Sequence, residues 1–293
     1  MKSVRRVRGE AIKDSFLCGL IGAGIQRSLS PALQEEEARQ LGLRLHYQLI
    51  DLDAAGVGME ALPTLIAAAR VMGFAGLNIT YPCKQSVIPL LDSLSEEAQA
   101  IGAVNTVVRE GDRLIGHNTD GSGWSWGFRR ALPRADLSRV VLLGAGGAGS
   151  ACGDAVLRLG AGQLVIFDRD APRAAALAKG LNERLEGGRA SASADLRAAL
   201  NGASGLIHAT PTGMAQMPGM PLPEELLQRT MWVSDIVYVP LETPLLRAAR
   251  RIGCETADGG HMNVGQALRG FKLFTGREPD AARMDAHFRR LVS

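Results

Sequence analysis

Aromatic side chains are scarce in this chain: Trp, Tyr and Phe together make up 4% of its 293 residues. That leaves few rings on which nucleic-acid bases could stack. Cysteine is equally thin. Cys18, Cys83, Cys152 and Cys254 never form C-x-x-C and lie among five scattered histidines, so neither a zinc site nor a disulfide framework is expected. Free thiols of this kind fit a reducing cytoplasm. No stretch approaches the ~18 uninterrupted apolar residues of a membrane span. No apolar run of about 7–15 residues follows the basic N-terminus, as a secretory signal requires. A surplus of one charge sign is also missing from the body. The net charge is +3, and Lys2, Arg5, Arg6, Arg8 and Lys13 against Glu10 and Asp14 account for all of it. The remaining chain is balanced and has no basic excess for phosphates, which excludes a nucleic-acid partner. Residues 1–14 read as a flexible basic tail.

Glycine is what the chain has in quantity: 35 residues, well above the usual ~7%. With few aromatics, this suggests close backbone approach to a ligand. At ~150 residues per domain the length suggests two domains. The apolar run at 16–22 reads as a buried strand. Pro31 then opens a helix over 31–41 with Ser30 as its N-cap. Strand 47–52, helix 59–72 and strand 76–80 follow, and Pro82 starts another helix. This alternation predicts a parallel sheet. Residues 103–109 and 113–116, joined by Glu110-Gly111-Asp112, read as a hairpin. A helix and linker over 121–138 lead to strand 139–143, a helix to about 159, strand 163–167 and helix 171–186. Strands 205–209 and 232–237, helix 243–252, a strand near 254–257, and helices near 262–275 and 280–291 complete the pattern. The fold class is α/β with two domains. A mainly parallel N-terminal domain spans 15–121, is completed by helices 262–293, and carries one antiparallel element. A Rossmann-like domain spans 122–261.

Gly144-Ala145-Gly146-Gly147-Ala148-Gly149 matches G-x-G-x-x-G between a strong strand and a helix. In that setting the first glycine permits the tight turn and the second lets the backbone approach a pyrophosphate. The third lets the helix pack on the strand. Asp168 ends the next strand, 24 residues after Gly144, where an acid can bind both ribose hydroxyls of NAD and repel the 2′-phosphate of NADP. NAD is therefore favoured over NADP, with Arg169 and Arg173 as possible phosphate partners against that reading.

Asn78-Ile79-Thr80-Tyr81-Pro82-Cys83-Lys84 is the most informative segment. Asn78 and Thr80 share a strand face. If Pro82 opens a helix, Lys84 lies in its first turn at the positive end of the dipole, which disfavours the ammonium form. That suits a lysine that exchanges protons. Asp120, in Asn118-Thr119-Asp120-Gly121, is either a helix cap or a carboxylate that steadies Lys84.

Ser28-x-Ser30-Pro31, Asn78-x-Thr80-x-Pro82-x-Lys84, Ala103-Val104-Asn105-Thr106, Asn118-Thr119-Asp120-Gly121, the glycine turn and Asp258-Gly259…Gln266 occur in this order. Together they resemble the shikimate dehydrogenase family, quinate/shikimate dehydrogenases included, from about residue 16 to the C-terminus. The resemblance implies an active site in the cleft between a substrate domain and a Rossmann domain. It implies Lys84 and Asp120 as the catalytic pair, with Ser28 and Ser30 on the substrate carboxylate. Thr80, Asn105 and Gln266 would hold ring hydroxyls, with Tyr238 on the substrate side. Residues 144–149, Asp168, Arg169, Thr210 and Gly259 would bind the dinucleotide. The implied reaction interconverts 3-dehydroshikimate and shikimate, or a close analogue such as quinate or aminoshikimate, without a metal, in a cytoplasmic monomer or homodimer. The alternative is a non-catalytic or weakly active metabolite-binding homologue. Phe167-Asp168-Arg169 is similar to the NAD-using branch, and Ser30 to shikimate-type sites. Gly260-His261 departs from the family's pair, leaving His261 either a substrate contact or a space filler. Cys83 is expected to pack.

Overall fold

The computed structural model describes residues 14–292. The expected tail therefore lies outside the described residues, apart from Asp14. That residue pairs with Arg277 at 3.0 Å and accepts the Arg44 N–H through its carbonyl.

The chain runs β1 (Ser15–Gly22), α1 (Ser30–Gln40), β2 (Arg44–Asp51), α2 (Leu52–Ala55), α3 (Leu62–Met72) and β3 (Gly76–Ile79). Then come β4 (Ser93–Leu94), α4 (Glu96–Ile101), β5 (Thr106–Glu110), β6 (Arg113–His117) and α5 (Asp120–Ala131). These strands form one sheet in the order β2-β1-β3-β5-β6-β4. β1 is parallel to β2 and β3, while β5 is antiparallel to both β3 and β6, so the expected hairpin sits inside the sheet.

The second half follows as β7 (Arg139–Leu143), α6 (Gly147–Arg158), β8 (Gln163–Phe167), α7 (Ala171–Arg184), β9 (Ala190–Ala192), α8 (Leu196–Leu200) and β10 (Gly205–His208). β11 (Trp232–Asp235), α9 (Pro244–Ile252), β12 (Glu255–Ala257), α10 (Gly259–Thr275) and α11 (Ala281–Val292) close the chain. Its sheet, β12-β11-β10-β7-β8-β9, is parallel throughout. Val140 to Leu143 are all buried because clusters of apolar side chains cover both faces. This is why β7 reads as a continuous apolar run rather than an alternating one. Strand order reverses between β7 and β10, the switch point where such sheets bind ligands.

Helix α10 ties the two sheets together. Asp258 caps its start by accepting the Gly260 N–H at 2.9 Å. At its far end Phe274 packs into the apolar cluster of the first sheet. Midway it lies backbone to backbone on α5: a Cβ at Gly265 would sit 2.4 Å from the Gly123 carbonyl oxygen. Trp124 turns to the second sheet, donating to Ser234 Oγ at 3.1 Å and stacking on Phe128. Trp126 packs instead in the cluster of α1, α10 and α11.

Two local expectations fail. Ser30 is the first residue of α1, not its cap; Leu29 occupies the cap position, and the Ser28 hydroxyl takes the Ser30 N–H at 3.3 Å. Pro82 opens no helix. Residues 81–87 are a run of turns, because the Lys84 carbonyl accepts Val104 N–H at 2.8 Å while Ile88 N–H goes to Gln85. Lys84 therefore stands at no helix N-terminus in its own segment and feels no helix dipole there.

Candidate active site

Lys84 is held by its own carbonyl against the lead-in to β5, with its side chain turned to the start of α5. There Nζ meets Asp120 Oδ2 at 2.6 Å. Asp120 is 2% exposed and Lys84 26%, so the carboxylate is sequestered while the ammonium reaches open space. The other Asp120 oxygen accepts from Asn105 Nδ2 at 2.8 Å and from Gln266 Nε2. Asp120 lies at the first position of α5, and its own N–H donates to Asn118 Oδ1 at 2.9 Å. Asp120 is thus the lysine partner and not the helix cap: Thr119 holds the cap position.

Asn105 is oriented from both ends. Its Oδ1 accepts the Thr119 N–H at 2.8 Å, which directs its amide nitrogen to Asp120. On β3, Asn78 Oδ1 accepts the Tyr47 hydroxyl at 2.6 Å, and its Nδ2 donates to Thr106 Oγ1 at 3.0 Å. The loop carrying Ser28 and Ser30 hangs on the Asp51 carboxylate, which accepts Gly24 and Ile25 N–H groups at 3.0 Å each. The two hydroxyls then meet each other at 3.1 Å.

Ser28, Ser30, Thr80, Lys84, Asn105, Asp120, Tyr238 and Gln266, together with Thr210, line one cleft of about 470 Å³. Each residue expected on the substrate side is thus in the same cavity. Asn78, Gln34 and Asn263 line it too and were not singled out as site residues. Asn78 stood in the motif and shares the Thr80 face, so the period of two pointed to it. Burial pushes the Tyr238 phenol up from its ordinary range. His261 is not among the lining residues. It packs against α5, where a Cβ on Gly127 would lie 2.7 Å from it, and burial pushes its imidazole down. Of its two readings, this packing matches the space filler. Cys83 is fully buried in the core of the first sheet, as expected of a packing residue.

The glycine turn lies at the second sheet's switch point. Gly144 has φ +102°, a conformation open to glycine, and a Cβ at Gly149 would sit 2.0 Å from the Gly144 carbonyl oxygen. A Cβ at Gly146 or Gly147 would meet nothing within 4 Å, and no side chain caps α6. Free N–H groups at a helix N-terminus facing open space suit a pyrophosphate. Asp168 sits beside the turn, its Oδ2 accepting Ala145 N–H at 2.7 Å. Arg169 is exposed next to it. Ala148 starts α6 with the turn glycines. Gly259 lies outside the cleft lining; a Cβ there would sit 2.3 Å from the Ile236 carbonyl oxygen. It lets α10 start against the end of β11. Among the described residues no cluster of three or more His, Cys, Asp or Glu is placed to hold a metal ion, and no helix is long and apolar enough to cross a membrane.

Comparison with known proteins fits this geometry. Residues 20–107 match the family model described as shikimate dehydrogenase substrate binding domain. The chain is 57% identical over 282 residues to a shikimate dehydrogenase (NADP(+)) of Streptomyces avermitilis, covering 96% of this chain and 97% of that one. It is 44% identical over 281 residues to a quinate/shikimate dehydrogenase (NAD(+)) of Corynebacterium glutamicum, covering 94% and 99%. The solved quinate dehydrogenase from Corynebacterium glutamicum in complex with NAD superposes with a TM-score of 0.89 at 43% identity, over 95% of this chain and 100% of that one. With near-full-length relatives on both measures, the chain belongs to the shikimate dehydrogenase family of oxidoreductases.

Proposed function

We propose that the cleft interconverts a ring carbinol and its ketone on a cyclic polyhydroxy carboxylate: shikimate and 3-dehydroshikimate, or quinate as a close analogue. The observation that carries this reading is the Lys84–Asp120 pair, at 2.6 Å, in a cavity otherwise ringed by hydroxyls and amides. Ser28 and Ser30 are the donors for the substrate carboxylate. Asn78, Thr80, Asn105 and Gln266 are matched to ring hydroxyls, and a site built to pair hydroxyls rejects analogues that lack them.

Residues 144–149 and Thr210 would hold a nicotinamide dinucleotide, which when bound would supply the hydride donor or acceptor. The chain's own groups manage the proton. In the reducing direction the Lys84 ammonium donates a proton to the carbonyl oxygen as negative charge develops there. In the oxidising direction the Lys84 amine takes the hydroxyl proton back. Asp120, fixed by Asn105 and Gln266, keeps Nζ on the reacting oxygen through both directions.

NAD is the dinucleotide favoured by Asp168, whose carboxylate stands at the end of β8 beside the turn and repels a 2′-phosphate. NADP has an observation of its own: Arg169 and Arg173 are exposed there, and Arg173 is tied only loosely to Asp170, at 3.7 Å. Absorbance at 340 nm with NAD and NADP against shikimate and quinate tests both levels. The proposal expects turnover of at least one substrate, with kcat/KM higher for NAD. No turnover of either substrate with either dinucleotide contradicts the function, and a preference for NADP contradicts only the cofactor assignment.

A further inference from the structure

Behind the second-sheet wall of the cleft lies a polar chain that the acid–base pair does not use. His208 and Asp235 end the neighbouring strands β10 and β11 as register partners, and both side chains are 0% exposed. His208 Nδ1 lies 2.9 Å from Asp235 Oδ1, and His208 Nε2 lies 2.6 Å from Thr210 Oγ1. The Asp235 carboxylate also accepts the Thr243 hydroxyl at 2.7 Å and the Val237 N–H at 3.0 Å. A carboxylate so surrounded is an acceptor only, so the hydrogen on the imidazole sits at Nδ1. In that tautomer Nε2 is an acceptor, and the donor facing it is the Thr210 hydroxyl.

We propose that the Asp235–His208–Thr210 relay fixes the Thr210 oxygen as a hydrogen-bond acceptor toward the cleft, making His208 a positioning residue for the nicotinamide half of the dinucleotide. The single Thr210 hydroxyl proton is committed to His208. One lone pair of its oxygen meets the Thr212 N–H at 3.4 Å, and the other is left for a ligand. The Thr210 methyl group stands 2.9 Å from where a Gly144 Cβ would be, and Thr210 lines the same cleft as Tyr238, so the residue adjoins both the glycine turn and the cleft. A ligand with its pyrophosphate on the turn and its reactive ring near Lys84 places a ribose O–H or a carboxamide N–H in this interval. Both are donors, which an acceptor-only threonine selects. This inference rests on the dinucleotide reading above.

The test is equilibrium binding, by calorimetry, of NADH and NADPH to the full chain, with ADP and 2′-phospho-ADP as fragments lacking the nicotinamide half. Thr210→Val should weaken binding of the full dinucleotides about 3- to 10-fold, the worth of one neutral hydrogen bond, and leave the fragments unchanged. Thr210→Ser should restore wild-type affinity. His208→Asn should produce the same selective loss alone and no further loss in the Thr210→Val background. Should His208→Asn fail to fold, the two Thr210 variants decide the matter. Unchanged dinucleotide binding in Thr210→Val overturns the proposal. Equal losses for dinucleotide and fragments overturn it too, since they mark a deformed turn. A wild-type protein that binds the fragments normally but gains nothing from the nicotinamide half overturns the relay. A wild-type protein that binds neither instead overturns the dinucleotide reading itself.

Discussion

Asp120→Asn is nearly isosteric and exchanges one carboxylate oxygen for an amide NH2. Three side-chain donors converge on that carboxylate: Lys84 on Oδ2, with Asn105 and Gln266 on Oδ1. Either orientation of the new amide therefore puts a donor against a donor. With its oxygen kept toward Asn105 and Gln266, the amide nitrogen faces the Lys84 ammonium at 2.6 Å; flipped, it faces the other two. Lys84 then leaves the position from which it reaches the reacting oxygen. Positioned proton transfer contributes about 10²- to 10⁴-fold, so kcat should fall by that order, and more than KM changes. Stability should fall less. A charge-assisted hydrogen bond contributes about 1.5–3 kcal/mol, and the exposed quarter of Lys84 lets solvent screen the pair, leaving about 1–2 kcal/mol. At roughly 2–4 °C per kcal/mol, the melting temperature should drop by about 2–8 °C. The assay is steady-state absorbance at 340 nm alongside a thermal melt. A variant that keeps kcat within about threefold refutes the acid–base assignment, because the general acid–base contribution is far larger than that.

Gly149→Ala should weaken dinucleotide binding and lower the melting temperature, because the new methyl would lie 2.0 Å from the Gly144 carbonyl oxygen, a backbone atom that cannot step aside; calorimetry and a melt check both. Burial raises the Glu97 carboxyl above its ordinary range, and the Ser122 N–H it accepts and the Arg269 charge only partly offset this. A raised acid costs the fold most where it is ionised, so stability from this group is present at low pH and is lost as pH rises through the folded pKa. Glu97→Gln, whose amide oxygen can still take the Ser122 N–H, should melt above wild type at pH 8, with the gap closing toward about pH 4. A gap that widens on acidification contradicts this. Ser28→Ala and Ser30→Ala should raise KM for the carboxylate substrate with kcat little changed, read from the same 340 nm assay.

The elements that could be read from the chain are those whose neighbours are close in sequence. β7 and β8 match expectation residue for residue, because each is a continuous apolar run stopped by a polar or glycine turn. The roles of Gly144 and Gly149 also follow from the turn itself. Longer-range chemistry was harder. Lys84 and Asp120 are 36 residues apart, and only their place among ordered motifs joined them before the fold did. The His208–Asp235 contact depends on the register of β10 with β11, which no local pattern encodes. Pro82 carried a true preference for helix starts, but the tertiary bond from Val104 N–H to the Lys84 carbonyl outcompeted it. β9, made of Ala190, Ser191 and Ala192, has too little apolar character to announce itself, and its place at the sheet edge asks for little. Gly259 stood out through the Asp258-Gly259 motif, but its close approach to the Ile236 and Val237 carbonyls depends on a contact that no local pattern encodes.

The most direct measurement of the central claim is Lys84→Ala examined in two ways on one preparation: turnover of shikimate and quinate at 340 nm, and binding of the dinucleotide by calorimetry. Lys84 touches the Asp120 carboxylate and lies outside the glycine turn, so the account predicts that turnover is lost while dinucleotide affinity stays near wild type. Retained turnover with normal binding would contradict the assignment of Lys84 as the group that moves the proton.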